Sequence, residues 1–121
     1  MRHTKDTRLN NLSDFYCTCC GHKGIPIIRR TGKAKEPGHL KKLFCLYCND
    51  EKNMVEIKNK GPYTLEEFWI EYKYGNFDSE GQRKMPYKQF INEVKHGRIE
   101  VDDNVNDNRE EFERSWSSNG F

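Results

Sequence analysis

Two pairs of cysteines set the strongest limit on how this chain folds. Cys45 and Cys48 form one C-x2-C pair. In Tyr16-Cys17-Thr18-Cys19-Cys20-Gly21-His22, Cys17 and Cys20 repeat that spacing, while Cys17 with Cys19, or Cys19 with His22, compete. Backbone chemistry chooses among them. A knuckle closing round a metal turns tightly and aims N–H groups at its first sulfur. The residue after its second cysteine often takes positive φ, which glycine adopts freely and asparagine better than most. Gly21 follows Cys20 and Asn49 follows Cys48, whereas Cys19 is followed by another cysteine. The register is therefore Cys17, Cys20, Cys45 and Cys48, with 24 residues between the pairs. Such a set implies one structural Zn2+ held by four thiolates. Cys19 is then a spare thiol at a knuckle tip, with redox sensing as its sharper alternative. His22 is read as a surface residue.

The rest of the composition fits a chain that needs a metal. Leu, Ile, Val and Phe number 24 of 121 residues, and mean hydropathy is −1.06. That is at the edge of what a self-sufficient core requires, and a structural metal makes up such a shortfall. The N-terminal "MRHTKDTRLNNLSDF" has no apolar run, and no stretch approaches the roughly 20 apolar residues of a membrane span. The expectation is a cytoplasmic protein with no membrane contact, in which clustered cysteines act as ligands rather than disulfides. Charge is uneven. Residues 1–60 carry 13 Lys/Arg against 6 Asp/Glu, and residues 61–121 carry 8 against 13.

Between the cysteine pairs, Gly24–Arg30 reads as a strand, with Pro26 suited to a sheet edge. Thr31–Gly38 is rich in turn formers and charge and reads as a loop. His39–Phe44 returns as a second strand, and Asn53–Lys58 alternates as a third. Knuckle, strand, loop, strand, knuckle, strand is a recognisable layout. Residues 15–60 resemble a four-cysteine zinc ribbon, on the strength of the two C-x2-C pairs. The runs "GHLKKLFCLYC" and "YGNF…EGQRKMPY" are similar to those of small uncharacterised zinc-ribbon proteins of Gram-positive bacteria and their phages. The ribbon resemblance implies three short antiparallel strands. It also implies contact with nucleic acid or docking on another protein, since ribbons serve in transcription, replication and translation without favouring one use.

Lys23, Arg29, Arg30, Lys33, Lys35, Lys41 and Lys42 flank or occupy the loop. They form a candidate phosphate-binding surface, with Tyr16, Phe44 and Tyr47 as candidate rings for base stacking. The blander reading is that these lysines balance the net negative charge of a four-thiolate zinc site and the rings cover a small core. A nuclease reading is weaker. "HLKKLFCLYCNDEK" resembles half of a metal-bound His-Asn-His nuclease motif, but no Asp accompanies His39, which would have to act alone as base. A closed four-thiolate sphere leaves no place for a substrate water, so the chain reads as non-enzymatic.

In the second half, Thr64 and Glu67 fit a capping box opening a helix over 65–74 that stops at Gly75. Pro86 at a first helical position opens another over 86–96, with Phe90, Ile91 and Val94 inward and Gly97 as its stop. The intervening "NFDSEGQRKM" reads as a polar loop, and Glu66, Glu67 and Glu71 as solvated helix carboxylates. From Asp102 the chain is acidic and expected to be disordered. A short helix near Glu110–Trp116 would carry Phe112 and Trp116 as a docking face. The expected architecture is a small α+β protein. It has an N-terminal arm (1–14), a four-cysteine zinc ribbon of three antiparallel strands (15–60), a two-helix segment (61–101) and an acidic tail (102–121). Its partner is expected to be nucleic acid or a protein.

Overall fold

The computed structural model describes residues 12–25, 27–28, 38–58 and 62–111. They form a four-stranded antiparallel sheet and two helices. The strands are β1 (Leu12–Cys17), β2 (Ile27–Ile28), β3 (Leu40–Cys45) and β4 (Asp50–Lys58), in the order β2-β1-β4-β3. The three strands expected from sequence are present, and β1 is an addition. It begins inside the stretch read as an arm. Each knuckle is thereby the turn of a hairpin. β3 pairs with β4 from Cys45↔Asp50 outward. After the first knuckle the chain returns to β1 through the bridge Tyr16↔Lys23 and then β2.

Alternation along the strands gives the sheet two apolar faces. On one, Tyr16, Val55, Leu40 and Ile57 pack against the helices. On the other, Phe15, Cys17, Cys45 and Met54 form a second cluster beneath the cysteines. The composition is poor in aliphatics, and aromatic rings fill the larger cluster. Phe68 stands 5.4 Å from Tyr16, 5.1 Å from Trp69 and 5.7 Å from Tyr72, centroid to centroid. Each buried large apolar side chain contributes about 1.5–3 kcal/mol. Because Tyr16 and Val55 share this cluster with the helices, sheet and helices hold each other in place.

Helix α1 (Leu65–Lys73) has the expected capping box: Glu67 N–H donates to Thr64 Oγ1 at 3.2 Å, and Thr64 N–H to Glu67 Oε1 at 3.0 Å. Helix α2 (Tyr87–Lys95) starts one residue later than expected. Pro86 has ψ 141 and occupies the N-cap rather than the first turn. Phe90 and Ile91 are buried and Val94 half-buried.

One expectation for the second half is sharpened and another overturned. The stretch 76–85 is a polar loop, with Asp78, Ser79, Glu80, Gln82 and Lys84 exposed, but it is anchored from within. Asn76 is buried, donates to Met85 O at 3.0 Å and accepts from Met85 N–H at 3.1 Å. Gly81, at φ +82, lies so close to Thr18 and Asn53 that a methyl group there would overlap Thr18 Oγ1. Asn53 Nδ2 donates to Glu80 O at 2.7 Å. This connector therefore clamps the helical segment onto β4 and the first knuckle. Glu71 is not a solvated carboxylate: it is 0% exposed. Arg83 donates to it through Nε (2.8 Å) and Nη2 (3.0 Å), and Tyr63 Oη donates at 2.6 Å, with Asn76 as a further donor. Arg83 Nη1 reaches Gly38 O at 2.8 Å, tying the segment that enters β3 to α1.

The first part of the acidic tail is also ordered against the fold rather than loose. Asp102 N–H donates to Lys73 O at 3.0 Å, Val105 packs on the aromatic cluster, and Asp107 pairs with Lys73 at 3.0 Å. Asn108 donates to the carbonyl of Cys20, and Arg109 pairs with Glu66. Phe112 and Trp116 lie outside the described residues.

Candidate metal centre and the surface around it

The two knuckles share one local geometry. In the first, Gly21 N–H donates to Cys17 O at 2.9 Å, and in the second Asn49 N–H donates to Cys45 O at 2.8 Å. Gly21 has φ 78 and Asn49 φ 57, the latter being the non-glycine residue at positive φ among the described residues. These are the two positions at which sequence asked for that conformation. In each knuckle a backbone N–H points at the first sulfur: Cys19 N–H to Cys17 Sγ at 3.4 Å, and Cys48 N–H to Cys45 Sγ at 3.4 Å.

β1 and β3 flank the central β4, so the two hairpin ends lie side by side and the four thiols converge. The Sγ atoms of Cys17, Cys20, Cys45 and Cys48 all lie within 4.8 Å of one another. Cys17 Sγ is 3.9 Å from Cys48 Sγ, and Cys20 Sγ is 3.5 Å from Cys45 Sγ. A tetrahedral site with metal–sulfur bonds of about 2.3 Å has edges of about 3.8 Å. Donor chemistry and spacing therefore fit one tetrahedral metal ion, and all four positions are taken by protein. Cys19 stays outside the set, and its carbonyl accepts from Tyr72 Oη at 3.4 Å.

Thiols this close cannot all ionise on their own. Cys17 is lowered to about 5, chiefly by the hydrogen bond it accepts from Cys20. That bond, with burial, pushes Cys20 up steeply. Burial and the charge on Cys17 push Cys48 up to about 12. Burial raises Cys19 as well. A divalent cation would take over the role of the shared protons, so metal uptake should release protons.

The sequence-predicted basic residues separate into three groups. Lys23 is largely buried and pairs with Asp14 at 3.6 Å. Lys41 and Lys42 are exposed on β3, opposite Met54 and Asn53, and so point to opposite faces of the sheet. Arg29, Arg30, Lys33 and Lys35 lie outside the described residues. Of the three rings proposed for stacking, Tyr16 is removed by its burial in the core. Phe44 is 54% and Tyr47 67% exposed. Tyr47 lies flat on His22, with centroids 3.7 Å apart and planes 8° from parallel. His22 is thus not a plain surface residue but a partner that joins the two knuckles.

A further polar face, with two lysines, went unseen in the sequence. Lys88, Gln89, Asn92, Lys95 and His96 are all exposed along α2, at spacings that bring them to one side. Counting charge over the whole acidic half concealed it. Helical phasing of residues 87–96 was the signal that would have found it. Among the described residues, the four cysteines are the one group of His, Cys, Asp or Glu spaced to hold a metal ion. No helix among them is long and apolar enough to cross a membrane. No protein-family model, curated protein or solved structure matches the chain.

Proposed function

We propose that this protein is a non-enzymatic, cytoplasmic binding module in which one Zn2+ on Cys17, Cys20, Cys45 and Cys48 holds two knuckles together. The ribbon then presents a basic surface to nucleic acid, within a transcription or replication complex. The observation that carries the metal is the convergence of four Sγ atoms within 4.8 Å. Thiolates favour zinc among common cellular divalent cations, and four of them close its coordination sphere. The metal's role is then to fold the ribbon, and the chemistry of contact belongs to the surface. Lys41 and Lys42 stand exposed on the two faces of β3, and the sequence between Ile28 and Gly38 carries Arg29, Arg30, Lys33 and Lys35. Each phosphate contacted releases counterions, so affinity falls with salt by about 0.7–0.9 log units per contact per log unit of salt.

The test uses the full-length zinc-loaded chain and a labelled DNA, titrated from low to moderate salt. Four to six contacts predict a slope of roughly −3 to −5. Changing Arg29, Arg30, Lys33 and Lys35 to Glu should flatten the slope and remove binding while zinc stays at one per chain. No measurable affinity at low salt sinks the nucleic-acid reading. A protein-docking adaptor, such as a phage-type modulator of a host machine, is the second reading. Ile25 and Leu46 favour it, since both are aliphatic and 72% exposed near the knuckles.

A further inference from the structure

Exposed rings say more about a small polar protein than exposed lysines do. Phe44 and Tyr47 are the only aromatic side chains on the ribbon that are more solvent than protein among the described residues, and both belong to the second knuckle and its entry. A cavity of about 360 Å³ opens beside them, between the two knuckles. Ile25, Phe44, Leu46, Tyr47 and Met54 line it, with Lys23. One face of Tyr47 is already covered by the His22 ring. The ring is therefore held in place, and stacking a planar group on its free face immobilises little that is not already fixed.

We propose that this cleft receives an unpaired base of a single-stranded nucleic acid, with Tyr47 as the stacking platform and Phe44 as a second ring. The inference rests on the nucleic-acid reading above and narrows it to single strands. Three features favour this occupant. Stacking needs a base whose face is free, and bases inside a duplex are already sandwiched by their neighbours. Charge complements a backbone: Lys41 stands exposed on the Met54 face of the sheet by register, and Lys23 lines the cleft. Of the carboxylates nearby, Asp14 is engaged by Lys23, Asp50 by Lys52 and the Glu51 N–H, Glu56 is buried, and the exposed Glu51 lies by register on the opposite face of the sheet from Met54. A base is flat, and Ile25 and Leu46 add apolar edges that tolerate any base. Recognition would then be of strandedness rather than sequence.

Fluorescence anisotropy on the full-length zinc-loaded protein tests this. The probes are a labelled oligothymidylate of about 16 nucleotides and a labelled duplex of equal length. The single strand should bind at least tenfold more tightly at the same salt. Tyr47→Ala should weaken single-strand binding by about tenfold, with zinc content unchanged. Tyr47→Phe should restore it, which a merely unfolded knuckle would not. Stacking releases no counterions, so Tyr47→Ala should lower affinity at every salt concentration without changing the slope. Lys41→Glu should change the slope instead. Equal affinity for duplex and single strand overturns the inference, as does a Tyr47→Ala variant that binds the single strand normally. In either case the broader reading survives if reversal of the basic run still removes binding. If the unaltered protein binds neither probe, both readings fall. Tyr47→Ala losing a protein partner while keeping single-strand affinity also overturns it, because the cleft would then be a protein site.

Discussion

Two polar centres hold this protein together, and they are built on opposite principles. The four cysteines come from two copies of one short pattern, each folding into the same turn. The Glu71 centre draws Tyr63, Asn76, Arg83 and the carbonyl of Gly38 from four separate places in the chain. The first lies at the ends of two hairpins, with four sulfurs spaced to hold a metal ion. The second sits under α1 and is already neutral in sum, with Arg83 and Glu71 paired in two hydrogen bonds. The difference teaches that a small chain poor in aliphatics can brace each side of a thin sheet with a polar staple. One staple is a set of donors spaced to take a metal ion, and the other is completed entirely from within.

The largest expected effect breaks the first centre. Serine at Cys17, Cys20, Cys45 or Cys48 should abolish zinc retention and unfold the ribbon. Structural zinc supplies about 10–16 kcal/mol in small zinc-folded units, as much as a whole domain's net stability. Serine at Cys19 should keep the metal. Metal analysis with circular dichroism on the five variants checks this, and loss at Cys19 with retention at Cys20 would refute the register.

Next comes the second centre. Glu71→Ala leaves the Arg83 cation poorly exposed and unpaired, and should cost about 3–5 kcal/mol by denaturant unfolding. The double variant Glu71→Leu/Arg83→Met should cost less than Glu71→Ala alone, since a buried pair replaced by apolar groups is often close to neutral. If the double variant is the worse, the network's hydrogen bonds to Tyr63, Asn76 and Gly38 outweigh the pairing. Zinc content of these variants sharpens the comparison. Retention at one per chain means that the two staples act separately, and loss means that they form one cooperative unit.

A smaller effect lies between the centres. Gly81→Ala places a methyl group against Thr18 and Asn53 at a residue with φ +82, and should cost about 1–3 kcal/mol. Because Thr18 belongs to the first knuckle, this variant should also speed zinc transfer to a chelator. An unchanged transfer rate would show that the connector only rests on the knuckle. Smaller again is Thr64→Ala, which removes the cap of α1 and should cost about 1 kcal/mol. The smallest is Lys73→Ala, which frees Asp107 from a half-exposed ion pair worth about 0–1 kcal/mol.

Much of the first centre was legible beforehand because its information is local. Spacing, a glycine after Cys20 and an asparagine after Cys48 state both the donors and the backbone turn, and the turn needs nothing from the rest of the chain. The capping box at Thr64 and Glu67, and the stops at Gly75 and Gly97, are local in the same sense. So are three of the four strands. β1 escaped because "LSDFYC" carries a serine and an aspartate where an alternating strand would show apolar residues. Ser13 is buried by strand pairing, not by its own chemistry. The one-residue error at Pro86 is of the same kind, since a proline serves an N-cap or a first turn equally well.

What only the tertiary structure decided was which polar residues are inside and which rings are outside. Glu71 sits on its helix three residues from Phe68 and two from Trp69, and only the arrival of Arg83 and Tyr63 turns a surface carboxylate into a buried one. Tyr16 and Tyr47 look alike as neighbours of a knuckle cysteine. One enters the core because α1 packs over that face of the sheet, and the other lies on His22 in solvent because nothing described packs over it. The tail was a matter of composition in sequence, yet Asp102 to Arg109 lie on α1 and the first knuckle through the carbonyls of Lys73 and Cys20, two ion pairs and Val105. The cysteine register could be read from one dimension because a metal site is specified by neighbours in the chain. Burial, pairing and exposure could not, because they are set by neighbours in space that the chain supplies from tens of residues away.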